Sequence, residues 1–346
     1  MTRAEALPVG SWTVADDEKA IASGIGSWPG TDVAEALRVV AGELPDLPHL
    51  PELPDRGAGA ELVGRAAARL VDLPVDLQPS GWRLVDHPGR DQARAAAFWR
   101  EDLDRLAYAF DGWQGALKVQ LAGPYSLAAS LWLPRGDRAL GDPGARRDLV
   151  WSTAAAVGDL VRDIRRLVPG ARVVLQLDEP SLPAVLGGRL RSASGFSVLR
   201  AVPPAEVRDG LATVLTAARE ASATTVVHCC DSDVPLRLLA EAGAGALSLD
   251  VALLDRAAWD ALAEAVEAGT KVWAGVLPTT GELPTAEAAA RRLARAWREV
   301  GLAPERLREV VVTPACGLAR TSPTSARATL VCAVETARLL TDLSAE

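Results

Sequence analysis

Short runs of β-branched and aliphatic residues alternate with longer amphipathic stretches from residue 19 onward, and this alternation restricts the fold more than any other feature of the chain. The runs are "KAIASGIGS" (19–27), "KVQLAG" (118–123), "RVVLQLDEP" (172–180), "TTVVHCC" (224–230), "GALSLD" (245–250), "KVWAGVLP" (271–278) and "EVVVTPACG" (309–317). An eighth, near "HLPELP" (49–54), is weak because its prolines remove ladder donors. Between them, residues 91–110, 145–168, 205–221 and 285–300 repeat apolar positions at spacings of three and four, as amphipathic helices do. Strand and helix in alternation imply a parallel sheet with crossover helices. About eight such units fit a closed (β/α)8 TIM barrel better than a doubly wound open sheet with an insertion. We expect one barrel over residues 19–346, an N-terminal arm over 1–18, and extra helices in the long connection from 55 to 117.

A chain of 346 residues can bury a large core. Its net charge is -8 and it has no Lys/Arg block, which leaves no electrostatic footprint for nucleic acid. No apolar run reaches the length of a membrane span and the N-terminus carries no signal-peptide pattern, so neither a membrane partner nor secretion is expected, and a cytoplasmic location is. Four cysteines in so long a chain do not make a disulfide framework.

Ser27, Asp178, Glu179, His228, Cys230, Asp250 and Cys316 fall where strands give way to loops, the place where parallel barrels gather functional groups. Because strand side chains alternate, His228 and Cys230 share a side and Cys229 points away. With Cys316 at another strand exit and Asp250 at a third, two thiolates, an imidazole and a carboxylate suit tetrahedral Zn2+. An isolated His-x-Cys would more often be a core histidine beside a small apolar cysteine, and the second exit tips the balance toward metal. Cys229 and Cys332 read as packing residues. In "QLDEP" (176–180), Asp178 and Glu179 have opposite parity, so at most one faces the mouth, and taken alone the motif reads more readily as a solvated strand end. "GIGSWPG" (24–30) fits neither phosphate-binding motif and reads as a ligand loop or as an ordinary glycine turn.

Taken in order, "GIGSWPG", "QLDEP", "HCC" and "TPACGLART" resemble the catalytic C-terminal barrel of cobalamin-independent methionine synthases over most of residues 19–346. The resemblance implies a zinc-dependent methyltransferase acting on homocysteine. It implies His228, Cys230 and Cys316 as zinc ligands, with Asp250 where the family usually has Glu. It places the amino acid's polar groups against Ile25, Gly26, Ser27 and Asp178, with Glu52 as a further carboxylate, and sets Trp132 about two positions from the family's pterin platform.

The departures bear on the methyl donor. Folate-using members have two barrels and this chain has room for one. Thr280 stands near the place of the family's proton-donating His, and Ala184 replaces a Glu used toward folate. Methyl transfer from folate nitrogen needs a general acid, whereas transfer from cobalt does not. The expected donor is therefore a methylcorrinoid or corrinoid protein, with methyltetrahydrofolate as the alternative. Competing readings are another zinc thiol methyltransferase, a uroporphyrinogen decarboxylase-like barrel, and a non-catalytic barrel that binds an amino acid or a partner.

Overall fold

The computed structural model describes residues 18–346, so nearly all of the expected arm lies outside the described residues. Seven parallel strands form the main sheet: β1 (Ile21–Ala22), β4 (Ala116–Ala122), β5 (Arg172–Asp178), β6 (Thr224–Cys229), β7 (Ala246–Asp250), β8 (Lys271–Leu277) and β9 (Val311–Pro314). A separate antiparallel hairpin, β2 (Val75–Gln78) with β3 (Gly81–Leu84), lies inside the long early connection. The helices are α1 (Val33–Glu43), α2 (Leu62–Ala67), α3 (Arg90–Ala109), α4 (Pro124–Ser130), α5 (Pro143–Leu167), α6 (Leu182–Gly187), α7 (Pro204–Glu220), α8 (Leu236–Glu241), α9 (Arg256–Glu267), α10 (Ala286–Glu299) and α11 (Pro323–Leu343). Among the described residues, no helix is long and apolar enough to cross a membrane.

Strand order is β1-β9-β8-β7-β6-β5-β4, which leaves β1 and β4 as the edges. Residues 48–52 reach both. Lys118 N–H donates to the Pro48 carbonyl and Leu50 N–H to the Lys118 carbonyl, each at 2.9 Å. On the other side Glu52 N–H donates to Gly26 O at 3.0 Å, and Trp28 N–H to Glu52 O at 2.7 Å. Pro48 and Pro51 have no N–H to give, so the segment makes isolated bridges where a full ladder would need a donor at every second residue. The weak eighth run is thus no regular strand, yet its backbone occupies the gap between the edges.

Alternation along the strands sets the interior. Ile21, Leu47, Ala116, Val174, Val226, Ala246, Trp273 and Val311 form a separate buried cluster, with a side chain from each of the seven strands and one from the segment leading into 48–52. These residues lie toward the strand starts, and the fully buried Trp273 is the bulkiest of them. Two residues on in the same parity come Ser23, Lys118, Gln176, His228 and Ser248, all buried and polar. The opposite parity, including Leu117, Val119, Leu175, Leu177, Val227 and Cys229, packs under the helices in the main core.

His49 is 1% exposed. Burial first, and the neighbouring Lys118 charge second, lower its pKa to about 3. A histidine that stays neutral when folded but binds a proton near 6.5 when unfolded supplies stability above pH 6.5, and this is lost as pH falls toward 3. In urea titrations at a series of pH values, His49→Gln is expected to flatten the acid slope of stability between pH 6.5 and 3 by up to about 1.4 kcal/mol per pH unit. An unchanged slope would show that His49 is protonated in the native protein.

Candidate metal and thiol site

At the C-terminal end of the sheet, β6 and the turn after β9 bring His228, Cys230 and Cys316 together, their ligand atoms all within 4.8 Å of one another. Cys230 Sγ and Cys316 Sγ lie 3.3 Å apart. The hydrogen bond from Cys230, joined by the His228 ring, holds the Cys316 thiol down at about 4, and the same sharing of one proton raises Cys230. His228 is 3% exposed, and its Nδ1 meets the Ser248 hydroxyl at 3.0 Å and the Ser248 carbonyl at 3.2 Å. Its Nε2 is buried without a hydrogen-bond partner. A ring fixed through one nitrogen by Ser248, with the other bare beside two sulfurs, offers the donor set and the orienting hydrogen bond of a zinc site. The residues fit the metal.

Asp250 ends β7 half-exposed, and its Oδ1 accepts from Ala252 N–H at 3.0 Å. It lies outside the three-residue group, although its carboxyl feels the charge of Cys316 and His228. Cys229 is buried in the core, and Cys332 bonds weakly to the Pro284 carbonyl on the outer layer.

Next to the sulfurs lies a polar chamber. Asp178 pairs in register with His228 and accepts from Gln176 Nε2 at 2.7 Å. Burial pushes its carboxyl up to about 7, opposed by His228 and Lys118. Ser27 bridges to Glu52 and is tied to the loop after Cys316, with Leu318 N–H donating to Ser27 O at 2.9 Å. A side chain on Gly317 would strike the Ser27 hydroxyl, so glycine permits this approach. Glu52 is 5% exposed, with Arg65 Nε 3.6 Å from its Oε1. Burial raises Glu52 and Arg65 counters it.

Three sequence candidates stand apart from this group. Trp132 is held by the hairpin: its N–H donates to Trp82 O at 2.9 Å and its carbonyl accepts from Leu84 N–H at 2.8 Å. Its ring lies between the guanidinium groups of Arg83 and Arg138, 5.8 and 5.5 Å from the centroid. Thr280 is exposed in the β8–α10 connection, and Ala184 sits in α6. Lys118, Gln120, Gln176 and Ser248 went unnoticed in the sequence, yet all four are buried in the chamber wall. Strand parity carried the signal, since Lys118 and Gln120 alternate with Leu117, Val119 and Leu121 in a run whose every residue is buried.

Glu179 turns away from the chamber. Its carboxylate accepts from Tyr125 N–H at 3.0 Å, and from Ser126 N–H and Oγ–H, each at 2.7 Å, holding the first turn of α4. A side chain at Gly123 would collide with it.

The catalytic-domain family of cobalamin-independent synthases matches residues 123–339, and the chain belongs to that family. In fold it is similar to a B12-independent methionine synthase from Shewanella sp. W3-18-1, solved in complex with selenomethionine. The TM-score is 0.63 at 15% identity, covering 94% of this chain and 98% of that one. A candidate vitamin-B12-independent methionine synthase from Listeria monocytogenes aligns with a TM-score of 0.61 at 16% identity, over 94% of this chain and 98% of that one. No curated protein matches the chain.

Glu179→Gln replaces one accepting oxygen by an amide that must face N–H or O–H donors. A loss of about 1–3 kcal/mol in urea unfolding is expected. Unchanged stability would show that this carboxylate does not hold α4.

Proposed function

We propose that this chain is a zinc-dependent methyltransferase that converts homocysteine to methionine. In this reading residues 19–346 form one (β/α)8-type barrel, with 48–52 as its eighth stave, 1–18 as an arm, and the cytoplasm as its location. The observation that carries the reading is the convergence of His228, Cys230 and Cys316, with a bare imidazole nitrogen, beside Asp178 and Ser27. The selenomethionine held by the Shewanella protein is a product analogue for this reaction and accords with an amino-acid chamber.

Zinc, held by His228, Cys230 and Cys316, would supply a positive centre that removes the proton from a thiol whose free pKa is about 8.5. The chain's own residues bind and orient. Asp178 and Glu52 offer carboxylates to the ammonium of homocysteine, while Ser27 and the backbone of Ile25 and Gly26 face its carboxylate. Asp250 becomes a fourth metal donor only by giving up its bond to Ala252 N–H.

A methylcorrinoid or corrinoid protein is the favoured donor over methyltetrahydrofolate. Transfer from cobalt breaks the Co–C bond, leaves its electron pair on the metal as Co(I), and forms the C–S bond without a proton. Transfer from folate leaves a nitrogen that must take one. His87 is exposed beyond the β2–β3 hairpin, His49 is buried and His228 faces the thiols, and a threonine hydroxyl at 280 is no acid at neutral pH.

Zinc-loaded protein given homocysteine with methylcobalamin is expected to form methionine, and with methyltetrahydrofolate far less. Absence of methionine with both donors overturns the activity, and methionine with folate alone overturns the donor. In a competitive chelator titration, Ser248→Ala is expected to weaken zinc by about 10-fold, because the His228 ring loses the hydroxyl and keeps only the backbone carbonyl at 248. Cys230→Ser is expected to lose stoichiometric metal, and full retention would exclude the thiolate ligand.

A further inference from the structure

Lys118 is one of only three lysines in the chain, and it is fully buried in the middle of β4. An ammonium in such a place is costly unless it is paired and hydrogen-bonded. Its Nζ donates to the Ile25 carbonyl at 2.7 Å and to Gln120 Oε1 at 2.9 Å. Gln176 Nε2 donates to the same Ile25 carbonyl at 2.8 Å, so two donors from two strands fix the peptide after Ile25. Gly26, next along, has φ +152° and would drive any side chain into Gln120. Gln120 in turn gives its Nε2 to the Leu50 carbonyl at 2.8 Å, tying the wall to the segment that carries Glu52.

Several charged groups surround this lysine. Its ammonium acts on both Asp178 and Glu52. Glu52 has Arg65 behind it, and Arg65 shares the buried Asp102 with Arg56, whose NH1 is 2.8 Å from Oδ1. Arg56 is also 3.6 Å from the Glu101 carboxylate, so the two guanidinium groups are shared among three acids. Lys118 is the cation that acts on both Asp178 and Glu52, and its loss leaves those two carboxylates with one positive charge fewer.

We infer that Lys118 is a positioning and specificity residue: it pins the Ile25 carbonyl and neutralises the two-carboxylate chamber, so that the site admits a zwitterionic amino-acid thiol in preference to a thiol bearing an amine alone. The inference rests on the proposed thiol chemistry and adds the charge class of the substrate. Without Lys118 the two carboxylates have one cation fewer beside them, which favours a cationic ligand and disfavours one that brings its own carboxylate.

The test is calorimetric binding of two thiols to zinc-loaded protein: homocysteine, and 3-aminopropane-1-thiol, the same skeleton without the carboxylate. Wild type is expected to prefer homocysteine at least tenfold. Lys118→Met is expected to lose tenfold or more for homocysteine while binding the amine thiol within about threefold of wild type, so the preference collapses. Gln176→Leu removes one donor from Ile25 and no charge, and is expected to weaken homocysteine while keeping selectivity well above that of Lys118→Met. Equal affinity of wild type for the two thiols overturns the inference even if Lys118→Met does not fold, as does a Lys118→Met protein with wild-type selectivity. If wild type binds neither thiol, the proposed function falls and takes the inference with it, a result distinct from binding both without preference.

Discussion

The hydrogen bonds that residues 48–52 make to β1 on one side and β4 on the other are the constraint on which the interior depends. They turn a seven-stranded sheet with two free edges into an enclosed space. Without them Glu52 would not meet Ser27, and the loop after Cys316, tied to Ser27, would lose its anchor. The segment is held because the backbone donors at Leu50 and Glu52 fall where the neighbouring carbonyls are, and the Pro48 and Glu52 carbonyls accept in return. The same prolines stiffen a segment that has no ladder to hold it.

The functional chemistry then follows from alternation. A parallel strand sends every second side chain inward, and in β4, β5 and β6 those positions read Ala116, Lys118, Gln120; Val174, Gln176, Asp178; and Val226, His228. The sequence moves from apolar to charged along each strand, so the interior changes from a dry base to a polar chamber over a few residues. Lys118 and Asp178 are hydrogen-bonded to neutral partners, Ile25 O with Gln120 and Gln176 respectively, and Glu52 pairs with Arg65; buried charges are tolerable only when satisfied in such ways. Glu179, one residue past Asp178, shows how sharply parity divides roles: one carboxylate faces the chamber, the other staples a helix.

Much of this was legible in the sequence, and what was not has identifiable causes. The seven apolar runs and the four longest-patterned helices stand within a few residues of their observed positions, because burial on a fixed period leaves a clear trace. The first run shrank to Ile21–Ala22, since the residues after it pair through isolated bridges. The β2–β3 hairpin was missed because "VDLQPSGWRL" alternates only briefly around a Pro-Ser turn. Helix α11 was missed because alanine and threonine on its buried face give little contrast between buried and exposed sides, and α1 and α9 because, at 11 and 12 residues, they are shorter than the four that were read. His228, Cys230 and Cys316 were readable because their residue types are rare in this chain. Lys118 was not, because a single lysine in an apolar run looks like the solvated side of an edge strand until the closure of the sheet shows it has no solvent to face.

Trp273 and the apolar side chains around it fill the interior of the sheet at the strand starts. With that end filled, the polar interior is approached from the end where the strands finish. Asp178 and Lys118 lie between the packed end and the sulfurs, so the half-buried Cys230 and Cys316 stand nearer the solvent than either of them.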